Sequence, residues 1–235
     1  MRCVKLMIPA IVVFMLLAVS TEQGRAKEMD VKRIHWLGHA SFRIEFDGKQ
    51  IYIDPYKLRG NLPKADYIFI THAHFDHFSK EDLAKIESPS TRFVVTKDVA
   101  KEIKGNITTV APGDTVTVGD LKVVAVPAYN IGKRFHPKEN GWVGYVIQLP
   151  DGMRVYHAGD TDFIPEMKQV QTDVALLPIG GTYTMDYQQA AEAARAIRPK
   201  VVIPMHWGDI VGTREDAEKF REAYQGEVLI LTPER

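Results

Sequence analysis

Thr71-His72-Ala73-His74-Phe75-Asp76-His77 follows a short apolar run, Tyr67-Ile68-Phe69-Ile70, and precedes Ser79, which opens a helix with a capping pattern. Three imidazoles and one carboxylate fall within six positions. Neutral imidazole is the commonest nitrogen ligand for metals near neutral pH, and a carboxylate beside it suits borderline ions such as zinc. In an extended segment leaving a strand, His72 and His74 project to the same side and can share one ion. Asp76 and His77 fall where the chain turns toward the next helix, so a second ion is the economical reading of their position. The competing reading is a chance cluster of solvent-exposed histidines in a chain with eight of them. The placement of four ligand-type residues at the end of a buried strand argues against it.

Outward from this stretch, the pattern is β-rich first and then alternates. Val31 to Trp36, Ser41 to Phe46 and Gln50 to Ile53 read as a meander, with Asp47-Gly48 supplying a two-residue turn of the I′ kind. After the Asp66–Ile70 strand, a helix runs to about Glu87, and a strand at Arg92–Val95 precedes a helix from Lys97 to about Lys104. Further strands are expected at Ile107–Val110, Thr115–Val118, Leu121–Val126, Trp142–Leu149, Met153–Tyr156, Asp173–Leu177, Val201–Ile203 and Val228–Leu231. Helices fit at Asp186–Ile197, where Asp186 and Gln189 form a capping pattern, and at Arg214–Tyr224.

The amino terminus reads as a leader. Arg2 and Lys5 precede an apolar run from Leu6 to Val19, and Gly24-Arg25-Ala26 offers a cleavage site after Ala26. At about 14 residues the run is short for a membrane span, which needs about 20. The alternative is an uncleaved anchor. The expected organisation is therefore a signal peptide over 1–26 and one domain over 27–235, exported to a periplasm or beyond the cell, with no stable membrane anchor after cleavage. The single cysteine, Cys3, lies in the leader, so the mature chain has no disulfide, no thiolate zinc ligand and no thiol nucleophile. Thirty basic and thirty acidic residues, without a basic stripe, argue against a nucleic-acid partner.

The other ligand-type residues stand where strands end. Tyr156-His157-Ala158-Gly159-Asp160-Thr161 presents Asp160, a carboxylate able to bridge two cations, and Pro204-Met205-His206-Trp207 presents His206. Each has a structural reading as well: a Gly-Asp-Thr turn, and a histidine satisfied by hydrogen bonds. Gly38-His39-Ala40-Ser41 interrupts the meander, with His39 either capping a strand or walling a pocket. Ile53-Asp54-Pro55 ends a strand on a carboxylate that serves either turn chemistry or a site.

Together, Trp36-Leu37-Gly38-His39-Ala40-Ser41, Ile53-Asp54-Pro55, the H-x-H-x-D-H motif, Tyr156 to Thr161, Pro178-Ile179-Gly180-Gly181 with Thr184-Met185, and Pro204-Met205-His206 resemble the metallo-β-lactamase superfamily. Within it they resemble the lactonase-like hydrolases related to ascorbate-6-phosphate lactonases. The resemblance implies an α/β fold, an αββα sandwich of two mixed sheets flanked by helices. It also implies two divalent ions, zinc in the first place and otherwise manganese or iron. His72, His74 and a third histidine would hold one ion, and Asp76, His77 and His206 the other, with Asp160 shared.

The third histidine is where the sequence departs from the family pattern. Asn130 stands where it is expected, and the nearest histidine is His136; the expectation is that the loop folds back and His136 takes the role, the alternative being a site completed by Asn130 or water. Lys133, Arg134 and Lys138 make this loop basic, either to steer an anionic substrate or as a solvated surface.

The implied chemistry is hydrolysis of an ester, lactone or related bond in a small molecule by a metal-bound hydroxide, since divalent ions lower the pKa of water from about 15.7 to about 7. Asp76 would orient the water while ligating. His39, His157, Tyr183 and Trp207 are candidates for the pocket lining. Alternatives are a phosphodiesterase of the phospholipase-D type, a mononuclear iron oxygenase and a non-catalytic metal-binding protein.

Overall fold

The structure, a computed structural model, describes residues 30–234; the expected leader over 1–26 lies outside them. Among the described residues no helix is long and apolar enough to cross a membrane.

Among the described residues, twelve strands form two six-stranded sheets. In the first, β1 (Ile34–Gly38), β2 (Ser41–Phe46) and β3 (Lys49–Ile53) make the expected antiparallel meander, and β4 (Tyr67–Ile70), β5 (Arg92–Val95) and β6 (Asn106–Thr109) add in parallel in that order. The β2–β3 turn has positive φ at both Asp47 and Gly48, as a I′ turn requires. In the second sheet, β7 (Thr115–Val118), β8 (Leu121–Pro127), β9 (Val143–Gln148) and β10 (Arg154–His157) pair antiparallel. Next, β11 (Val174–Pro178) and β12 (Val201–Met205) continue in parallel.

All four residues of β4 are buried, as a strand covered on both faces demands. Ile68 and Ile70 pack with Leu83 and Ile86 of helix α1 (Lys80–Ile86) and Val99 of helix α2 (Lys97–Ala100). Phe69 points the other way, edge-on to Tyr145 of β9 at 5.2 Å. The Tyr145 hydroxyl donates to the Ile70 carbonyl across the sheet interface at 2.8 Å. Helix α3 (Tyr187–Ile197) starts on the expected capping box of Asp186 and Gln189, and α4 (Arg214–Ala223) on one of Thr213 and Asp216. Two sheets face to face with helices outside are the expected αββα arrangement.

Three local expectations change. Val31–Arg33 is a single 3-10 turn, and the first strand begins at Ile34. Helix α2 stops at Ala100, well short of Lys104. Val228–Leu231 forms one parallel bridge, Val228 to Val202, because its apolar residues have only one strand edge to follow.

Candidate metal centre

Strand ends and the turns after them deliver the residues of the centre, except His136, which comes from the loop after β8. β4 releases His72 and His74. The chain then turns, with the His77 and Phe78 amides donating to the His74 carbonyl at 3.0 and 2.8 Å, and this swings Asp76 and His77 round to a second point. β10 leads to Asp160, β12 to His206, β3 to Asp54, and the turn between β1 and β2 carries His39. Of the seven non-glycine residues with left-handed φ among the described residues, four are here: His39, Asp54, His136 and His206. Such backbone costs of order 1–3 kcal/mol per residue and persists where surrounding structure imposes it. Gly180 makes room: a Cβ there would stand 2.6 Å from the His206 carbonyl oxygen.

The donor atoms converge in two groups. His72 Nε2 lies 3.0 Å from His74 Nδ1, and His136 Nε2 lies 3.1 Å from the same atom and 3.1 Å from Asp160 Oδ2. Asp160 Oδ1 lies 3.2 Å from both His77 Nε2 and His206 Nε2, and Asp76 Oδ2 stands 3.8 and 3.9 Å from those nitrogens. Donors on one tetrahedral ion with bonds of 2.0–2.1 Å stand about 3.3 Å apart, so both spacings suit a metal. His77 Nε2, His206 Nε2 and Asp160 Oδ1 are buried without a hydrogen-bond partner. Unpaired buried polar atoms are costly, and three aimed at one point fit a cation.

Outer contacts fix which atoms are free to ligate. The Asp54 carboxylate accepts from the Thr71 amide, the Thr71 hydroxyl and His77 Nδ1 at 2.7–2.8 Å. His77 is thereby turned with Nε2 toward Asp160. Thr71 Oγ1 lies 3.0 Å from His72 Nδ1 and leaves Nε2 for the first group. Such contacts orient metal-binding histidines.

Burial, then the charges of neighbouring imidazoles, push the His72 imidazole well below its ordinary range, and burial with His136 lowers His74. Both shifts favour the neutral imidazole that ligation requires. Burial pushes His39 down to about 4 despite its hydrogen bond to Asp76. For Asp76 burial acts upward, but the His39 hydrogen bond and the His77 charge outweigh it and hold the carboxyl at about 2.

His136 does fold back. The Asn130 side-chain nitrogen faces the loop, while its Oδ1 is buried without a hydrogen-bond partner. Its side-chain amide donates to the carbonyls of Phe135 at 3.0 Å and Tyr183 at 2.7 Å, and its backbone amide donates to the His136 carbonyl at 2.8 Å. Facing carbonyls, the amide tethers the loop. Lys133 is drawn inward to Asp162 and the Thr184 carbonyl, and Lys138 pairs with Glu166. The expectation of an anion-steering loop therefore loses both lysines.

The four pocket candidates separate. Tyr183 lines a cavity of about 170 Å³ over the centre. His39 lies behind it, fully buried, with Nε2 3.0 Å from Asp76 Oδ2. His157 and Trp207 are corrections. His157 Nε2 donates to the Ala40 carbonyl at 2.8 Å and Nδ1 accepts from the Gly159 amide, so both nitrogens are spent inside the fold. Trp207 packs on Trp36 at 4.7 Å and donates to the Pro204 carbonyl. One neighbour went unread in the sequence: Trp142, just before β9, packs against His72 and His74 at 4.7 Å each. Its only sequence signal is apolar, the same as that of a strand residue.

Comparison with known proteins agrees with this geometry. The model of the β-lactamase superfamily domain matches residues 33–206. A UPF0173 metal-dependent hydrolase of Methanopyrus kandleri is 36% identical, over 86% of this chain and 97% of its own. Among solved structures, a protein described as a metal-dependent hydrolase from Parabacteroides distasonis superimposes with a TM-score of 0.76 at 35% identity, over 84% of this chain and 91% of its own. A metallo hydrolase from Ignicoccus hospitalis does so with 0.69 at 30% identity, over 85% and 94%. The chain belongs to the metallo-β-lactamase superfamily and, within it, to the UPF0173 metal-dependent hydrolases.

Proposed function

We propose that the protein is a dinuclear metal hydrolase acting on an ester, lactone or related bond. His72, His74, His136 and Asp160 would hold one divalent ion, and Asp76, His77, His206 and Asp160 the other. The observation that carries this is the charge balance of the centre. Asp54, Asp76 and Asp160 are buried carboxylates whose ion-pair partners among the described residues are all histidines, with no lysine or arginine. Buried carboxylates need cationic partners, and histidine with carboxylate donors suits zinc before softer or harder ions. The names of the UPF0173 relatives support metal-dependent hydrolysis, and the resemblance to lactonase-like members supports a cyclic ester within that class.

Divalent ions supply acidification of a bound water toward neutral pH and polarisation of the scissile bond. The chain does the rest. Asp76, ionised and held by His39 through Oδ2, would orient a water at the cleft floor by accepting its hydrogen bond while ligating. Thr71 and Asp54 keep His72 and His77 in the ligating tautomer, and Asn130 keeps His136 in reach. The leader pattern supports an exported protein, which amino-terminal sequencing of the secreted material would check.

The test is metal content by plasma mass spectrometry beside ester and lactone turnover before and after chelation. Near two equivalents of zinc, with turnover lost on chelation and restored by zinc, is the expected result. One equivalent of iron with no hydrolysis would overturn it in favour of redox chemistry, and turnover confined to phosphodiesters would move the bond class.

A further inference from the structure

The mouth of the centre is apolar, and no lysine or arginine is among the residues that line it. Five large hydrophobic side chains are exposed among the described residues: Phe75, Val124, Ile131, Phe135 and Ile210. Three of them, Phe75, Phe135 and Ile210, line the cavity over the metal-ligand candidates. Single exposed hydrophobic residues need no explanation, but several meeting at one cleft mark a binding surface. Phe75 is 68% exposed and stands in the chain between His74 and Asp76; Phe135, 44% exposed, directly precedes His136. Both rings are thus tied to the reacting centre by one peptide bond. Each is also braced edge-on by a tyrosine, Phe135 by Tyr183 at 4.8 Å and Phe75 by Tyr56 at 6.1 Å.

Charge points the same way. The charged side chains lining the cavity are the carboxylates Asp76 and Asp160, and no lysine or arginine lines it. The nearby lysines are turned to other partners: Lys133 to Asp162, Lys138 to Glu166 and Lys57 to Asp209. Arg134, exposed in the same loop, is not among the lining residues. A phosphate or carboxylate on the substrate, outside the scissile bond itself, would enter this cleft without a cationic partner. An alkyl or aryl group would meet rings on two sides.

We propose that the substrate carries an uncharged apolar group next to the scissile bond, seated between Phe75, Phe135 and Ile210, so that the preferred class is neutral hydrophobic esters or lactones. The inference rests on the hydrolytic reading of the centre, and the test separates the two.

One arm measures binding without turnover, by calorimetry on the metal-loaded protein with two ketones that cannot be hydrolysed: hexyl methyl ketone, and the same chain ending in a carboxylate. The other compares kcat/KM for p-nitrophenyl acetate and butyrate, and for a neutral alkyl lactone against a phosphate-bearing one. The expected results are at least tenfold tighter binding of the neutral ketone and a rise of about tenfold from acetate to butyrate, at three- to fourfold per buried methylene. Phe75→Ala and Phe135→Ala should flatten that rise toward unity. Val124→Ala, exposed on the second sheet away from the cleft, should leave it intact. Equal binding of the two ketones, a flat ester series, or preference for the phosphate-bearing lactone would overturn the proposal. Selective binding of the neutral ketone with no turnover of any ester or lactone would support the apolar seat and overturn the hydrolytic reading instead.

Discussion

Asp82 and Asp160 are both buried carboxylates, 4% and 3% exposed, and the chain treats them in opposite ways. Asp82, in the first turn of α1, accepts from the Lys57 and Leu58 amides at 2.8 and 2.9 Å and from Lys85 Nζ at 2.8 Å. Its charge and its lone pairs are met by the protein. Asp160 has one oxygen 3.1 Å from His136 Nε2, while the other faces His77 and His206 at 3.2 Å without a hydrogen bond. A carboxylate that belongs to the fold is completed by the fold; one in the proposed metal centre keeps an oxygen without a hydrogen-bond partner. The contrast predicts that substitutions at the two positions fail in different currencies, stability at Asp82 and metal occupancy at Asp160.

The largest effect should come from Asp160→Asn, because this carboxylate faces both groups. Metal content should fall from near two equivalents to below one. Turnover should drop by more than the about 10- to 100-fold that losing an outer hydrogen-bond partner costs. The melting temperature gives a second readout. Zinc at about 100 times its dissociation constant should stabilise the native protein by about 2.7 kcal/mol, or about 5–10 °C for a domain of this size. The variant should lose most of that shift. A variant that kept both ions and the shift would remove Asp160 from the centre.

The next effect is narrower. His136→Ala should cost one equivalent of metal and leave the other, since His77, His206 and Asp76 are untouched. Asn130→Ala should act on the same ion more weakly, by about 10- to 100-fold in affinity, because it frees the loop and removes no donor. If Asn130→Ala emptied the site as fully as His136→Ala, the asparagine would be a ligand and its carbonyl-facing orientation irrelevant. Titration with a zinc-competing chelator distinguishes the two.

What could be read in the sequence follows the range of the interactions. The H-x-H-x-D-H motif, the buried β4 run, the Asp47-Gly48 turn and the Asp186 capping box are local, and each is found in the structure where the residues put it. The gathering of Asp160, His136 and His206 was legible only through resemblance, because these residues meet across loops of unknown course. His157 and Trp207 misled for a shared reason: both sit at strand ends beside residues of the centre, yet their polar atoms are satisfied at Ala40, Gly159 and Pro204. Asn130 is a different case: it occupies the expected position of a ligand, and its contacts with the carbonyls of Phe135 and Tyr183 tie it to the loop that carries His136.

The smallest effect belongs to Asp82→Asn, the control arm of the comparison. Burial acts to raise the Asp82 carboxyl, but the Lys85 and Ser79 hydrogen bonds and the Leu58 and Lys57 amides outweigh it and hold it below its ordinary value. A carboxyl lowered in the folded state contributes stability that is fully present above its unfolded value, about 3.9, and is lost as pH falls through the folded value. The amide keeps the shape but loses the charge and must turn a donor toward groups that themselves donate. The expected cost at pH 7 is therefore about 1–3 kcal/mol, shrinking below about pH 4 as the wild-type carboxylate takes up its proton. Urea unfolding of both proteins at neutral and acid pH, with chelator throughout so that the metal centre contributes to neither, measures it. A difference that stayed constant across that range would mean that Asp82 acts through its acceptor oxygens and not through its charge. The contrast with Asp160 would then rest on geometry and not on how each charge is met.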